Sequence, residues 1–407
     1  MVYRLKIIIL FISLLLSAHI QAQEHYVFSS ISSINGLSDN RVRTLCQLPD
    51  RRMIVVTEGL VNIYDGAAFR YMHYDEQRAY SLPKYSGYHR AYVDNENRLW
   101  LKNRFKLMLF DIRTELFNPG IDSVFVLLGI KEPVVNLFAD TENNFWYVTA
   151  KNALYFRNST DRKATLFLRN VAEVSNTPDE LYDIAVHEQL MFLFYKSGLM
   201  VCFDFNAKKE LYREKSFEGK NNTYNGTLMV VPFRQYLYQA RNGGNRGILT
   251  RFNIINRQLE KVMETDYWLN TLTVDHTGNC WISSHTGLWV IDPTLKNKLL
   301  ISPLQLVDGK AYESEISTQY NDNTGGLWVG TVNRGLLYYH PDRFKFRNLG
   351  LPFFKPTSNK HINVSSFAES QGAVLVGTSN GLYRYNSRTV TIEADKTIPA
   401  ASACEML

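Results

Sequence analysis

The sequence has few cysteines, and their positions exclude a disulfide-rich scaffold. The four cysteines are far apart in 407 residues and show no Cys-x-x-Cys or other metal-ligand spacing; they are Cys46, Cys202, Cys280 and Cys404. Disulfide frameworks are typical of much shorter secreted chains with denser cysteines. We therefore predict that the first three cysteines are small buried side chains and that the chain has no metal site.

Long apolar runs and strong net charge are also lacking. The longest apolar run, residues 7–16, is too short for a membrane-spanning helix, which needs roughly 20 residues. It follows Arg4 and Lys6 and precedes small and polar residues, so we predict a signal peptide at residues 1–23, with an uncleaved anchor as the alternative. The formal net charge of +6 is too low to indicate a nucleic-acid partner.

The sequence contains none of the short motifs that mark common catalytic sites. It has no phosphate-binding loop, no Gly-x-Ser-x-Gly and no His-Glu-x-x-His. Residues 140–144 resemble the start of a calcium loop, but Lys151 stands where such a loop needs a bidentate Glu, so we predict an Asx-type turn. We therefore predict no cofactor and no enzymatic activity. A propeller enzyme, either a lyase or a glycosidase, stays open because paired carboxylates are recognised only in three dimensions.

The clearest feature of the sequence is a repeat of about 46 residues. Each unit has a bulky residue in a short strand; around Trp281, Trp328 and Leu375 a polar turn precedes it and a small-polar turn, Gly-Leu and a second strand follow. The bulky position falls at Ile54, Trp100, Trp146, Phe192, Leu237, Trp281, Trp328 and Leu375. Such a period of short strands is typical of β-propeller blades.

Each unit is predicted to form four antiparallel strands. In the first unit we expect strands at residues 42–48, 53–57, 60–64 and 68–74. The β-rich residues 25–33 precede this unit and would supply the outer strand of the last blade. The fold class is thus all-β, a propeller of four-stranded antiparallel blades.

Eight units need not form one ring, because a Pro-bearing segment at residues 349–356 separates the last two units. We predict a seven-bladed propeller at residues 24–350, the first blade of a second propeller at 351–395 and a non-repeat tail at 396–407. A single eight-bladed ring is the alternative.

Three motifs resemble the periplasmic two-component regulator propellers of Bacteroidetes hybrid sensor kinases. Residues 36–42 (Gly-Leu-Ser-Asp-Asn-Arg-Val) resemble the family's Gly-Leu-Ser-x-Asn-x-Val, and residues 60–69 (Leu-Val-Asn-Ile-Tyr-Asp-Gly-Ala-Ala-Phe) its Gly-Leu-x-x-Tyr-Asp-Gly-x-x-Phe. Residues 328–331 (Trp-Val-Gly-Thr) resemble its Trp-Ile/Val-Gly-Thr. The units between Trp100 and Leu237 lack Gly-Thr and depart from the pattern.

The resemblance implies a periplasmic sensor that binds an oligosaccharide and controls polysaccharide-utilisation genes. It also implies two seven-bladed propellers, a membrane helix, a kinase and a DNA-binding domain, and association as a homodimer. The kinase and membrane parts have no counterpart in residues 1–407, so we expect the sensor portion only, with membrane contact through parts that are missing. A protein-interaction scaffold is a further alternative, because a propeller fold does not dictate function.

Ligand recognition is expected on one face of the propeller, where the turns between second and third strands meet the connections between blades. In the first unit this turn holds Glu58, but in six of the seven units it is predicted to carry a basic or imidazole residue; these are Arg104, Lys151, Lys196, Arg241 with Arg246, His285 and Arg334. Converging cations would suit an acidic oligosaccharide. Trp268 lies in the connection before the sixth unit and would offer a ring for sugar stacking.

Overall fold

The computed structural model describes residues 26–83, 90–103, 106–175, 179–217, 223–342, 349, 354, 361–370, 373–386 and 391–395. The predicted signal peptide and tail, Arg104 and Cys404 lie outside the described residues.

The regular structure of the described chain consists almost entirely of short strands. The first half contains β1 (Val27–Ile31), β2 (Val42–Gln47), β3 (Met53–Thr57), β4 (Val61–Tyr64), β5 (Phe69–Tyr71), β6 (His73–Asp75), β7 (Arg78–Ala79), β8 (Arg90–Val93), β9 (Arg98–Lys102), β10 (Leu107–Asp111), β11 (Leu116–Asn118), β12 (Val134–Ala139), β13 (Phe145–Thr149), β14 (Leu154–Arg157), β15 (Thr165–Leu168), β16 (Leu181–His187), β17 (Leu190–Tyr195) and β18 (Leu199–Asp204). Its helices are a 3₁₀ turn at Ser33–Asn35, α1 (Ile121–Leu127) and α2 (Val171–Val174).

The second half has the same character. It contains β19 (Lys209–Lys215), β20 (Thr227–Phe233), β21 (Tyr236–Gly243), β22 (Arg246–Asn253), β23 (Gln258–Thr265), β24 (Leu269–Val274), β25 (Cys280–Ser284), β26 (Gly287–Ile291), β27 (Lys298–Ile301), β28 (Leu304–Leu306), β29 (Ala311–Tyr312), β30 (Ile316–Asn321), β31 (Leu327–Thr331), β32 (Leu336–Tyr339), β33 (Val364–Ser370), β34 (Ala373–Thr378), β35 (Gly381–Asn386) and β36 (Thr391–Ala394). In the described part of the chain no helix is long and apolar enough to cross a membrane.

The strands form seven propeller blades and an eighth sheet. Blades one to six contain β2–β5, β8–β11, β12–β15, β16–β19, β20–β23 and β24–β27, and blade seven contains β30, β31, β32 and β1. Each bulky residue of the repeat lies in the second strand of its sheet, so the predicted frame is confirmed. Successive blades contact each other and blade seven contacts blade one, so the seven blades close a ring.

The first strand of the chain closes this ring. Strand β1 is antiparallel to β32, with Ser29 opposite Tyr338 and Ile31 opposite Leu336. Phe28 is fully buried, and its ring centroid lies 5.9 Å from that of Tyr339. The prediction that residues 25–33 supply the outer strand of the last blade is confirmed.

The predicted fourth strand of the first unit is corrected by the structure. Instead of one strand over residues 68–74, β5 ends at Tyr71, and β6 pairs in parallel with β11 of blade two through His73 and Leu116. Met72 separates them; it is fully buried, and its N–H donates to Val61 O at 2.9 Å. Burying Met72 against the blade therefore ends one strand and directs the chain to the next sheet.

An aspartate six residues before the repeat Trp shapes the first turn of four blades. In blade three Asp140 Oδ1 accepts hydrogen bonds from the backbone N–H groups of Glu142 and Asn144, both at 3.0 Å, which confirms the predicted Asx-type turn. The Trp Nε1 donors lie 2.8, 3.3, 2.8 and 2.9 Å from the carboxylates, in the pairs Trp100–Asp94, Trp146–Asp140, Trp281–Asp275 and Trp328–Asp322. These residues are therefore framework.

Apolar clusters between neighbouring blades form the core of the ring. One cluster joins blade three to blade four through Trp146, Leu154, Leu193 and Tyr195. The cluster that joins blade seven to blade one contains Trp328 and Val55. As predicted, Cys46, Cys202 and Cys280 are free and buried in this core.

Two compact units are distinguished within the chain. One comprises Phe28–Leu304 and Tyr312–Arg343 and holds the ring of blades; the other includes Gln305–Ala311 and the eighth sheet. The eighth sheet, β33–β36, repeats the strand order of a blade and has its own apolar cluster around Phe354, Val376 and Tyr383.

Candidate functional site

The candidate site lies on the face of the ring that we call the turn face. It consists of the turns between the second and third strands of each blade and the connections that lead into each first strand. A backbone hydrogen bond holds the two together: Ala150 N–H donates to Pro133 O at 2.8 Å, and Lys196 N–H donates to Glu180 O at 2.9 Å. Val332 and Glu315 repeat the bond in blade seven at 3.1 Å. The strand order thus places these turns and connections side by side.

Most of the predicted residues lie on this face. Lys151, Lys196, His285 and Arg334 lie in the turns of blades three, four, six and seven. Arg246 is the first residue of β22, directly after the turn of blade five. Trp268 immediately precedes β24 and is 43% exposed.

The predicted position of Arg241 in a turn is corrected by the structure. Strand β21 continues to Gly243, so Arg241 lies within the strand and is fully buried. Its Nη2 donates to Tyr195 O at 3.0 Å, and its guanidinium lies 5.5 Å from the centroid of the Phe217 ring. Burial lowers the pKa of Arg241 to about 10. A ligand on the turn face would not contact this side chain.

The exposed basic residues of the turn face lie beside carboxylates. Lys151 Nζ is 3.2 Å from Glu132 Oε1, and Lys196 Nζ is 3.7 Å from Glu180 Oε2. His285 Nδ1 is 3.0 Å from Glu315 Oε2, where the ion pair requires a protonated imidazole.

These carboxylates were not among the site residues predicted from the sequence. Glu132, Glu180 and Glu315 each come one or two residues before a first strand. The sequence signal for these carboxylates is a glutamate just before the first strand of several units. The connection that carries it lies beside the turn between the second and third strands.

Arg334 has a different partner. Its guanidinium lies 5.1 Å from the centroid of the Tyr312 ring, in cation–π geometry, and the side chain is exposed. Ser314 and Asn333 form a hydrogen bond nearby at 2.9 Å. Arg334 is therefore held at the connection between blades six and seven.

The most developed group of side chains is at blade five, where the turn face adjoins the fourth strand, β23; we call it the blade-five corner: Tyr224, Arg246, Lys261, Glu264 and Trp268. The Trp268 Nε1 donates to Gly244 O at 2.6 Å, which fixes the indole beside the turn that carries Arg246. Glu264 lies 3.8 Å from Arg246 Nη1, and 3.4 Å from Lys261 Nζ.

A cleft of about 410 Å³ adjoins this corner. Ile248 and Leu259 supply apolar surface, and Thr223, Tyr224, Thr250, Lys261 and Glu264 supply polar groups. Tyr224 Oη donates to Glu264 Oε1 at 2.5 Å. This hydrogen bond is the main cause that lowers the pKa of Glu264, whereas burial and the neighbouring carboxylate raise the pKa of Tyr224 to about 12. The corner therefore presents an ionised carboxylate, a neutral phenol and two cations at neutral pH.

In the described part of the chain, no group of three or more His, Cys, Asp or Glu side chains is arranged to hold a metal ion. The blade-five corner instead offers an exposed aromatic ring, hydroxyl groups and charged hydrogen-bonding groups around a cleft.

Comparison with solved structures shows which proteins share this fold. The extracellular domain assigned to the hybrid two-component system BT3049 of B. thetaiotaomicron superimposes with a TM-score of 0.55 and 15% identity, over 91% of this chain and 49% of that chain. The extracellular domain assigned to the one-component system BT4673 of the same organism has a TM-score of 0.53 and 16% identity, over 92% and 48%. This chain thus spans about half the length of both.

A third similar structure is the WD40 β-propeller domain of Doa1, with a TM-score of 0.52 and 8% identity, over 80% of this chain and 99% of that domain. No protein-family model and no curated protein matches the sequence. The likeness to these structures establishes the β-propeller fold, which the extracellular domains of Bacteroides sensor systems share.

Proposed function

We propose that this chain is the ligand-sensing part of a two-component regulatory system and that it binds an oligosaccharide at the blade-five corner. The observation that carries the proposal is the Trp268 indole, which is half-exposed and anchored to Gly244 O at 2.6 Å in the turn that precedes Arg246. The likeness to extracellular domains of such systems supports a sensing role rather than catalysis.

The chemistry of the corner suits a sugar. A pyranose ring has an apolar C–H surface, which packs on an aromatic ring, and a rim of hydroxyl groups that both donate and accept hydrogen bonds. Trp268 offers the aromatic surface, while Tyr224, Lys261 and Glu264 offer polar groups at the cleft. A cleft of about 410 Å³ lies within the size range of small-molecule sites.

Export and signalling complete the proposal. The predicted signal peptide would deliver the chain to the periplasm, where oligosaccharides released from polysaccharides are available. Ligand binding would then control polysaccharide-utilisation genes through kinase and DNA-binding parts on the cytoplasmic side. We also propose that the sensor acts as a homodimer, as the family resemblance implies.

A thermal-shift screen of oligosaccharides tests the proposal. We expect one class of oligosaccharide to raise the melting temperature, because a ligand at 100 times its Kd adds about 2.7 kcal/mol to the free energy of unfolding. Chromatography of the same mixtures should show the oligosaccharide unchanged. Stabilisation accompanied by cleavage would favour the lyase or glycosidase alternative, and a panel in which nothing shifts the melting temperature would contradict oligosaccharide sensing.

A further inference from the structure

We propose that the oligosaccharide recognised by the turn face is uncharged, and that the carboxylates beside its basic residues disfavour acidic sugars. This inference rests on the proposed function. It reverses the expectation of an acidic ligand, which followed from the basic residues alone.

The first observation is that the cations of this face are matched by carboxylates. Lys151, Lys196, Arg246 and His285 each lie within 4 Å of a glutamate oxygen, at 3.2, 3.7, 3.8 and 3.0 Å. The four pairs lie in blade three, blade four, blade five and between blades six and seven. Each of these four basic residues therefore has a carboxylate beside it, and Glu264 is shared by Arg246 and Lys261.

In blade one the residue in the turn is acidic and its partners are basic, the reverse of the other blades. Its turn carries Glu58, whose Oε2 lies 2.5 Å from Arg43 Nη2 and 3.5 Å from Arg41 Nη1. Arg41 in turn lies 2.9 Å from Asp39. The compensation of charge thus extends to the turn that has no basic residue of its own.

This arrangement of charges determines the electrostatic interaction energy of an anion that approaches the face. Two unit charges 4 Å apart interact by about 1 kcal/mol in water and by more in a desolvated cleft. A uronate or sulfate group that came this close to Lys261 would also approach Glu264, which is only 3.4 Å from Lys261 Nζ. Repulsion by Glu264 would offset part of the attraction to Lys261 and Arg246, while the anion would still lose hydration. A carboxylate ligand therefore gains less on this face than the basic residues alone would give it.

A neutral sugar does not meet this repulsion. Its hydroxyl groups can accept from Lys261 or Arg246 and donate to Glu264, and hydrogen bonds to charged groups are stronger than those between neutral groups. Among the candidate cations that the structure describes, only Arg334 is exposed without a carboxylate within ion-pair distance, and its guanidinium lies over Tyr312. One isolated cation does not make a binding site for an anionic sugar.

The test uses matched pairs of oligosaccharides that differ in charge. Oligogalacturonides and their methyl esters, glucuronoxylan and xylan oligosaccharides, and sulfated and desulfated chondroitin oligosaccharides form three such pairs, studied with additional neutral oligosaccharides by calorimetry. We expect the bound compounds to be neutral, with a Kd that changes less than twofold between 20 and 300 mM NaCl. A preference of tenfold or more for an acidic member, weakened by salt, would overturn the inference but leave oligosaccharide sensing intact.

A substitution sharpens the test. Glu264→Gln keeps an acceptor for Tyr224 but leaves Arg246 and Lys261 uncompensated, so affinity for the acidic counterpart of the bound sugar should rise three- to tenfold and become salt-dependent. Glu210→Gln removes the same charge from β19, where Glu210 Oε1 is 2.5 Å from Arg213, and should leave selectivity unchanged. Equal selectivity in the wild type and both variants would overturn the role of Glu264. If no oligosaccharide of either charge binds any of the three proteins, the proposed function itself fails.

Discussion

Arg90 and Asp183 form a two-point ion pair between blades that are not neighbours. Arg90 Nη1 and Nη2 lie 2.8 and 2.7 Å from the two carboxylate oxygens of Asp183, and both side chains are largely buried. Arg90 Nη2 also donates to Leu228 O at 2.9 Å, while Val230 N–H donates to Asp183 at 3.1 Å. Blade two is thereby tied to blades four and five.

Arg90 and Asp183 occupy equivalent positions in the first strands of blades two and four. Each lies two residues before the first-strand residue that pairs with the bulky residue of the repeat. In blades one, six and seven this position holds a threonine; the three residues are Thr44, Thr271 and Thr318. At this position of the first strand, blades two and four therefore carry the charged pair where blades one, six and seven carry uncharged threonines.

Removing one member of this pair should destabilise the ring. For Asp183→Asn or Arg90→Met we expect a loss of roughly 3–5 kcal/mol in the free energy of unfolding, because the remaining charge stays buried without its partner. Urea unfolding followed by tryptophan fluorescence measures the loss. The double variant R90M/D183N should be less destabilised than the sum of the single variants, and additive losses would show that the two groups are not coupled.

The closing strand can be tested through its buried aromatic residue. Phe28→Ala should lower the free energy of unfolding by about 3–5 kcal/mol, because Phe28 is fully buried at the seam of blade seven. Ile34→Ala is the matched control: Ile34 is 94% exposed, so its loss should stay within about 0.5 kcal/mol. Similar small losses in both variants would contradict closure by β1.

The pKa values of the turn aspartates determine how they contribute to the dependence of stability on pH. Burial raises the pKa of Asp275, but hydrogen bonds from Thr277, Trp281 and Asn279 outweigh burial and lower it overall. A lowered pKa in the folded state contributes stability above the unfolded pKa of about 4, and that stability is lost as the pH falls through the folded pKa. Asp275→Asn should therefore cost about 1 kcal/mol at pH 7 and progressively less below pH ~4.

Asp140 provides the opposite case in the same type of turn. Burial raises its pKa above the usual value despite the hydrogen bonds from Asn144 and Trp146. Its ionised form is therefore disfavoured by folding, and its contribution to stability increases as the pH falls through the raised pKa. Asp140→Asn should be the milder substitution at pH 7 when urea unfolding is compared across pH. A larger loss for Asp140→Asn than for Asp275→Asn would contradict this assignment.

Trp268 should contribute to binding but not to folding. Trp268→Ala is expected to weaken binding of the oligosaccharide by 10- to 100-fold, since burying an aromatic side chain is worth about 1.5–3 kcal/mol. Calorimetry measures the affinity, and an unchanged urea midpoint shows that the fold is intact. Ile255→Ala is the control: this residue is exposed in the turn between β22 and β23 and should leave affinity unchanged. An unchanged affinity of Trp268→Ala would place the sugar elsewhere on the turn face.

The buried thiols should be unreactive in the folded protein. Burial raises the pKa of Cys46 to about 12 and that of Cys202 to about 11, and it raises the pKa of Cys280 as well. In a Cys404→Ser background we expect no labelling by a thiol reagent until urea unfolds the ring, because the thiolate is the reactive form. Labelling in native buffer would show that at least one of these sites opens locally.

Much of the framework was predictable because each blade repeats the same local solution. The bulky residue, the aspartate turn and the β-rich residues 25–33 are local or periodic signals. The structure places every bulky residue in a second strand, the aspartate turn in four blades, and β1 beside β32. The fourth strand of blade one was mispredicted because β6 belongs to the adjacent sheet, a choice made by the burial of Met72 rather than by local propensity.

The charges of the candidate site were harder to interpret. Sequence alone located Lys151, Lys196 and His285 in turns, but it did not show that a glutamate from a connecting segment stands beside each. Arg241 was misplaced because β21 extends beyond the average strand of the other units. The pairing of Arg90 with Asp183 had no local signal, since only the closed ring brings the two inner strands together.

The pairing of β1 with β32 also has a consequence for how the protein is made. The two paired strands come from opposite ends of the sequence that forms the ring. The seam therefore cannot form until almost all of that sequence has been synthesised. Contacts between such distant segments are slow to form, and the unpaired edge of β32 is open to wrong partners until they do. A chain that stops before residue 336 therefore lacks the partner strand of β1, and its ring stays open at this seam.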